Sequence, residues 1–436
     1  VSEAAHPHDP SGISPAQAQR VWAGIGFRSF GGPTAQIALL HRVLVAERGW
    51  LSEREFLDAL GFCMLLPGPE AMQLATYAGW KLHGTRGGLA AGLWFVVPGA
   101  LVVLLLAVVY TVFGHLPWTV AAFAGIKAAV LVLVVEAMIR IGRRALTDRT
   151  QAAIAVATWI ALGAFGVPYP VVVAAAGAIG WFRARNHTAD AGAIAAPVAL
   201  RSTIATIVIW ALIWAAPLLG VAAAFGPAHI LSQLGWFFSK LAMVTFGGAY
   251  AVLGYMAQDV VTRFGWLTPG QMLDGLGLAE TTPGPLILVT EFVGFVAAQR
   301  AHPEAGLVFG FAGAAIAVWA TFAPCFLWIF AGAPHLARIR SLPRLRGALT
   351  AITAAVLGVM ASLSMWFALH VLFGTVADIR LGSAHVLLPR LASLDWTMLL
   401  FTAISALLLR LRWSVHAVLI AVAALSVALA WSTRLR

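Results

Sequence analysis

The sequence of 436 residues is 61% hydrophobic and only 10% charged, with a mean hydropathy of +0.89. Soluble domains carry roughly a quarter charged residues, so a soluble fold is excluded and an integral membrane protein is expected. The net charge of +11 does not indicate nucleic acid. Lys and Arg cluster in short loops between apolar runs (Arg140–Arg149, Trp181–Arg185, Arg338–Arg346, Arg410–Arg412), which is the positive-inside pattern.

In chain order, residues 1–15 form a polar tail without a basic stretch followed by an apolar one. No cleavable signal peptide is expected, and Val1 in place of Met points to a processed start. An apolar helix should run from Pro15 to a break at Phe30-Gly31-Gly32-Pro33 and resume to about Ala46. The next opens at Ser52, where Ser52-x-x-Glu55 has the form of a capping box. It meets a break at Pro67-Gly68-Pro69 and restarts over Glu70–His83. Apolar helices follow at 87–113, 118–141, 150–165 and 169–182, then a polar linker, Arg183–Ala196, and a connector helix at 201–224. The second half reads 228–246, broken at Gly247-Gly248, 249–263, and 269–282, broken at Pro283-Gly284-Pro285. It continues with 286–300, 305–331, 345–372, a long loop over Phe373–Asp395, 394–410 and 413–431. The fold class is an all-α polytopic membrane protein of about thirteen membrane elements, each broken pair counted once.

The two halves are copies. Phe30-Gly31-Gly32 recurs as Phe246-Gly247-Gly248, Trp50-Leu51-Ser52 as Trp266-Leu267-Thr268, and Pro67-Gly68-Pro69 as Pro283-Gly284-Pro285. The offset is constant, since 246 − 30, 266 − 50 and 283 − 67 all give 216. Asp58 and Asp274 share it, which favours a common structural task. The organisation is therefore a first repeat at 16–182, a linker and connector helix at 183–226, and a second repeat at 227–436. Basic loops follow the fourth and sixth elements of the first repeat but the third and fifth of the second, so equivalent loops face opposite sides. An inverted-topology repeat is expected, the arrangement common in secondary transporters.

Pro and Gly breaks in apolar helices leave backbone groups unpaired in hydrocarbon, unless protein or a water-filled cavity satisfies them. Helix starts at Pro33/Thr34, Pro69/Glu70, Ala249 and Pro285/Leu286 would offer N–H groups and positive dipole ends, which suit an anion. The expected substrate-binding set comprises Phe30, Gly31, Gly32, Pro33, Pro67, Gly68, Pro69, Glu70, Gln73 and Tyr77 in the first repeat. In the second it comprises Phe246, Gly247, Gly248, Pro283, Gly284 and Pro285. Arg28 and Lys240 would supply countercharge, or else snorkel to headgroups, and Glu70, Glu280 and Glu291 are candidates for proton coupling or salt bridging. Lys127 and Glu136 share a helix but are nine residues apart, too far for a local pair. No catalytic, P-loop or metal motif is present, so no catalytic residue, cofactor, metal or ATP-driven step is expected. Cys63 and Cys325 lie singly in apolar stretches and read as small buried hydrophobes.

Through Phe27-Arg28-Ser29-Phe30-Gly31-Gly32-Pro33, Trp50-Leu51-Ser52 and Cys63-Met64-Leu65-Leu66-Pro67-Gly68-Pro69-Glu70-Ala71, the chain resembles the chromate ion transporter family in its long, two-domain form. Gln73 to Trp80, Thr245-Phe246-Gly247-Gly248 and Thr281-Thr282-Pro283-Gly284-Pro285 extend the likeness over nearly the whole chain. Phe62 and Met72 depart from the residues expected there, which bears on substrate preference. The resemblance implies efflux of chromate, a tetrahedral dianion, across the inner membrane of a bacterium, and resistance to it. Expected partners are a chromate- or sulfate-like oxyanion, protons and the lipid bilayer, with homodimer assembly allowed and nucleic acid excluded. A sulfate transporter and an anion channel are the rival functions.

Overall fold

The computed structural model describes residues 13–184, 200–246, 249–336, 342–382 and 384–434. Most of the polar tail and of the Arg183–Ala196 linker, part of the Arg338–Arg346 loop and the Gly247-Gly248 pair lie outside the described residues. The first half contributes α1 (Pro15–Arg28), α2 (Gly32–His41), α3 (Glu53–Cys63), α4 (Glu70–Phe113), α5 (Pro117–Ala145), α6 (Arg149–Gly163) and α7 (Tyr169–Arg183). α8 (Leu200–Phe225) connects to α9 (Ile230–Val244), α10 (Ala249–Gln258), α11 (Pro269–Thr281), α12 (Val289–Ala301) and α13 (Val308–Gly332). α14 (Pro343–Leu372), β1 (Val376–Leu381), β2 (Ala384–Pro389), α15 (Trp396–Arg410) and α16 (Val415–Arg434) complete the described chain.

Among the described residues six helices are long and apolar enough to cross a membrane, namely α4, α5, α8, α13, α14 and α16. Apart from α4, the helices at the breaks are shorter, from 10 residues in α2 to 15 in α9. At 1.5 Å per residue even fifteen residues reach only about 22 Å, short of the roughly 30 Å hydrocarbon core. α4 restarts at Glu70 as expected, and its helical geometry lapses at His83 and Gly84 before the long apolar run to Phe113.

The offset of 216 residues recurs in backbone detail. A π-helical turn follows α2 at Arg42–Glu47 and another follows α10 at Asp259–Arg263. The amide of Trp50 donates to Leu44 O at 2.8 Å, and that of Trp266 to Val260 O at 2.9 Å. The capping box at Ser52 is present, with Ser52 and Glu55 each bonding the other's backbone N–H. Thr268 and Gln271 form the same reciprocal pair ahead of α11, at 3.0 and 3.2 Å. Identical turn chemistry at matched positions is what a duplication leaves behind.

The Phe373–Asp395 segment, expected as loop, contains an antiparallel hairpin pairing Val376 with Pro389 through Leu381 with Ala384. Two six-residue runs flank a Gly-Ser pair, and Gly382 turns the chain at φ +65°. That is a hairpin signal in the sequence, outweighed there by the helical periodicity on either side.

Contacts divide the chain into two compact units, neither coincident with one sequence half. Unit 1 is 1–104, 184–249 and 282–346; unit 2 is 105–183, 250–281 and 347–436. In unit 1, α12 and α13 approach until their backbones touch, and a Cβ on Gly313 would sit 2.2 Å from Gly294 O. In unit 2, α5 packs on α11, α15 and α16, and Ala351, Ala354 and Ala355 of α14 meet Ile154 and Ala176. We expect Gly313→Leu to destabilise by at least the 1–3 kcal/mol typical of overpacking, read as a lower melting temperature of the detergent-solubilised protein.

Candidate functional site

Three of the four breaks meet within unit 1 together with the close of α9, just ahead of the fourth. α1 ends at Arg28, and the Ser29 hydroxyl donates to Gly26 O at 2.8 Å, closing the helix. α9 ends at Val244, and the Thr245 hydroxyl donates likewise to Leu241 O at 2.6 Å. Each closing residue then accepts from the Pro-Gly-Pro break of the other half. The Gly284 amide donates to Ser29 O at 2.9 Å, and the Gly68 amide donates to Thr245 O at 2.8 Å. Because 245 − 29 and 284 − 68 both give 216, these two bonds are one bond made twice, with the halves exchanged.

Both glycines are required by their backbones. Gly68 has φ +127° and Gly284 has φ +89°, in the region that L side chains rarely adopt. A Cβ at Gly68 would also lie 2.7 Å from Gln73 Nε2 and 2.9 Å from Cys325 Sγ. Two buried amide side chains brace the arrangement. Gln36 Nε2 donates to Gly284 O at 2.6 Å and to Ser29 O at 3.1 Å, and Gln73 Nε2 donates to Pro67 O at 2.8 Å.

The expected site residues divide by exposure. Pro67, Gly68, Pro69, Gln73, Tyr77, Pro283, Gly284 and Pro285 are buried. Gly32, Pro33, Glu70 and Phe246 are half-buried, and Arg28, Phe30, Gly31 and Lys240 are exposed. Gly247 and Gly248 fall outside the described residues. Arg28 donates from Nε to Gly24 O at 2.8 Å in the last turn of α1, where a cation also offsets the negative end of the helix dipole. α2 begins at Gly32 behind an uncapped Gly31, and its first-turn residues Thr34 and Ala35 are exposed. The start of α12 differs from a simple half-helix, because a 3-10 turn at Leu286–Leu288 precedes it. Tyr77 packs edge-on against Phe62.

Glu280 is buried in the last turn of α11, within unit 2, and Glu291 is buried in the first turn of α12 in unit 1. Sequence reasoning passed over Ser29, Gln36 and Thr245. The available signal was a Gln inside an apolar helix start, since amides are rare there without partners.

Unit 2 holds a second polar cluster that the sequence left unpaired. Lys127 Nζ on α5 lies 3.2 Å from Asp274 Oδ1 on α11, and the Tyr110 hydroxyl donates to Asp274 Oδ2 at 2.8 Å. Asp274 is 5% exposed, whereas Asp58 at the equivalent position is half-buried. Unit 2 also contains a cavity of about 320 Å³ bounded by Tyr255, Gln258, Ser362, Trp366 and the hairpin residues Asp378 and His385.

The sequence matches the chromate transporter family over residues 16–181 and 232–429. It is 35% identical to the chromate transport protein of Pseudomonas aeruginosa over 340 residues, covering 77% of this chain and 76% of that protein. It is 31% identical to the chromate transport protein of Cupriavidus metallidurans over 340 residues, covering 77% and 78%. No solved structure matches the chain. The chain belongs to the chromate transporter family and is a multi-pass membrane protein.

Two stability predictions follow from this geometry. Gln36→Leu removes a donor shared by two buried carbonyls and should cost about 1–3 kcal/mol. Lys127→Met leaves Asp274 buried without its countercharge and should cost about 3–5 kcal/mol, most of it recovered in the double variant Lys127→Met/Asp274→Leu. Thermal unfolding in detergent checks both.

Proposed function

We propose that this member of the chromate transporter family is a secondary active transporter that exports chromate from the cytoplasm across the bacterial inner membrane. The substrate would sit where the broken helices of the two halves meet. The observation that carries this reading is the reciprocal pairing of Gly68 with Thr245 and of Gly284 with Ser29. It joins breaks from two copies whose loop charges favour inverted orientation, the construction used by transporters with midplane sites. With the two glycine amides committed to carbonyls, the remaining N–H groups of the first turns of α2 and α4 are the donors for a tetrahedral dianion. Arg28 and Lys240 supply positive charge near α2 and α9, and one of Glu70, Glu280 and Glu291 exchanges a coupling proton. Alternating access would move one repeat against the other.

Export of a dianion is favoured by an inside-negative potential, at about 2.3 kcal/mol per charge per 100 mV. Resistance to chromate in the host follows from that direction. The chemistry expected is translocation without covalent change, so the protein acts as a carrier and not as an enzyme.

Reconstituted protein should take up labelled chromate saturably and show counterflow against unlabelled chromate on the opposite side. Non-saturating flux without counterflow would identify an anion channel instead. Equal, potent competition by sulfate would identify a general tetrahedral-oxyanion carrier. Gly68→Ala and Gly284→Ala should each lower chromate transport at least tenfold, through the strained φ and the displaced break.

A further inference from the structure

Of the three acidic side chains considered for proton coupling, Glu291 stands apart. Glu70 is half-buried at the first position of α4, and Glu280 has an interaction partner. Glu291 is 3% exposed, and its Oε2 is buried without any hydrogen-bond partner. No Lys, Arg or His among the described residues forms an ion pair with it.

The elements packed on α12 offer it little. α13 carries Cys325 as its one ionisable side chain, and α9 carries Lys240, which is exposed. The Leu286–Leu288 turn carries none, and Glu304, beside His302, lies beyond the far end of α12. On α12 itself Arg300 is nine residues further on, about 13 Å along the axis. The adjacent Thr290 has its hydroxyl engaged with that of Thr321, 3.3 Å away.

An ionised carboxylate sealed in such a place has lost its water and gained nothing in return. A carboxyl there stays neutral while enclosed and ionises when water reaches it. Glu291 also follows Pro285 by only six residues, which places it within about 10 Å of the break by helical rise. A negative Glu291 and a dianion at that separation repel each other strongly in a low-dielectric interior, so the two charges exclude one another.

We infer that Glu291 carries the coupled proton, protonated while the oxyanion is bound and ionised once it has left. The step balances without a further reactant: water on one side delivers H⁺ to the carboxylate, forming one O–H bond, and the bond breaks to water on the other side. One proton thus travels with each oxyanion, so each outward cycle carries a net charge of −1, which the inside-negative potential drives outward while an acid-outside pH gradient opposes it. This inference rests on the oxyanion-transport reading above.

The test uses full-length protein in proteoliposomes, with labelled chromate and the membrane potential clamped at zero. Under an imposed pH gradient the wild-type protein should accumulate chromate on the alkaline side. Glu291→Gln should keep counterflow exchange within about threefold of wild type yet lose accumulation driven by the pH gradient, and Glu291→Asp should restore it. Retained pH-driven accumulation in Glu291→Gln would overturn the assignment, as would wild-type accumulation indifferent to the gradient. Loss of exchange in both variants would make Glu291 a packing residue and overturn it as well. Absence of counterflow in the wild type would instead defeat the oxyanion-transport reading itself.

Discussion

Everything at the centre of unit 1 depends on two hydrogen bonds, from Gly68 N to Thr245 O and from Gly284 N to Ser29 O. A helix that stops inside a membrane protein leaves carbonyls at its end without partners, and a Pro-Gly-Pro break leaves an amide without one. Here the surplus acceptor at the close of α1 or α9 meets the surplus donor of the opposite half. Each repeat thereby cancels the defect of the other. Among the described residues neither repeat satisfies its own breaks in this way, which gives the duplication a physical purpose beyond symmetry.

The shared scaffold contrasts with the side chains placed upon it. Backbone features are matched at 216 residues' distance: the π-helical turns, the capping boxes, the left-handed glycines and the closing hydroxyls of Ser29 and Thr245. The polar groups around them are not. Gln36 corresponds to Val252, Gln73 to Val289, Arg28 to Val244 and Glu70 to Leu286, while Glu291 corresponds to Ala75. Structure has been kept in both copies, and chemistry has been divided between them. The bracing amides went to the first copy and the isolated carboxyl to the second.

That division explains what was legible in the sequence. The broken helices, the restart at Glu70 and the capping box at Ser52 were readable because Gly, Pro and capping residues act locally. The long apolar helices were readable because a membrane imposes length and hydropathy. Partners across the chain were not. Nothing local shows that Gln36 reaches Gly284, 248 residues away, or that Lys127 meets Asp274 and not Glu136 on its own helix. The matched positions Asp58 and Asp274 differ in burial for the same reason, since repeat equivalence preserves the backbone and says nothing of what packs against it.

A pseudo-symmetric pair of bonds also limits how such a centre can be biased. If only matched features were present, exchanging the roles of the two halves would leave the energy nearly unchanged, and two opposed arrangements would be almost equally populated. Unmatched side chains are then the only groups able to favour one over the other. A group of that kind has the greatest leverage when its charge changes and when it is buried without compensation. Bracing amides such as Gln36 and Gln73 hold a geometry but keep one charge state. Glu291, whose Oε2 is buried without a hydrogen-bond partner, is suited to tilt the balance as it gains or loses a proton, so a group that costs unit 1 stability is also one placed to drive exchange between its arrangements.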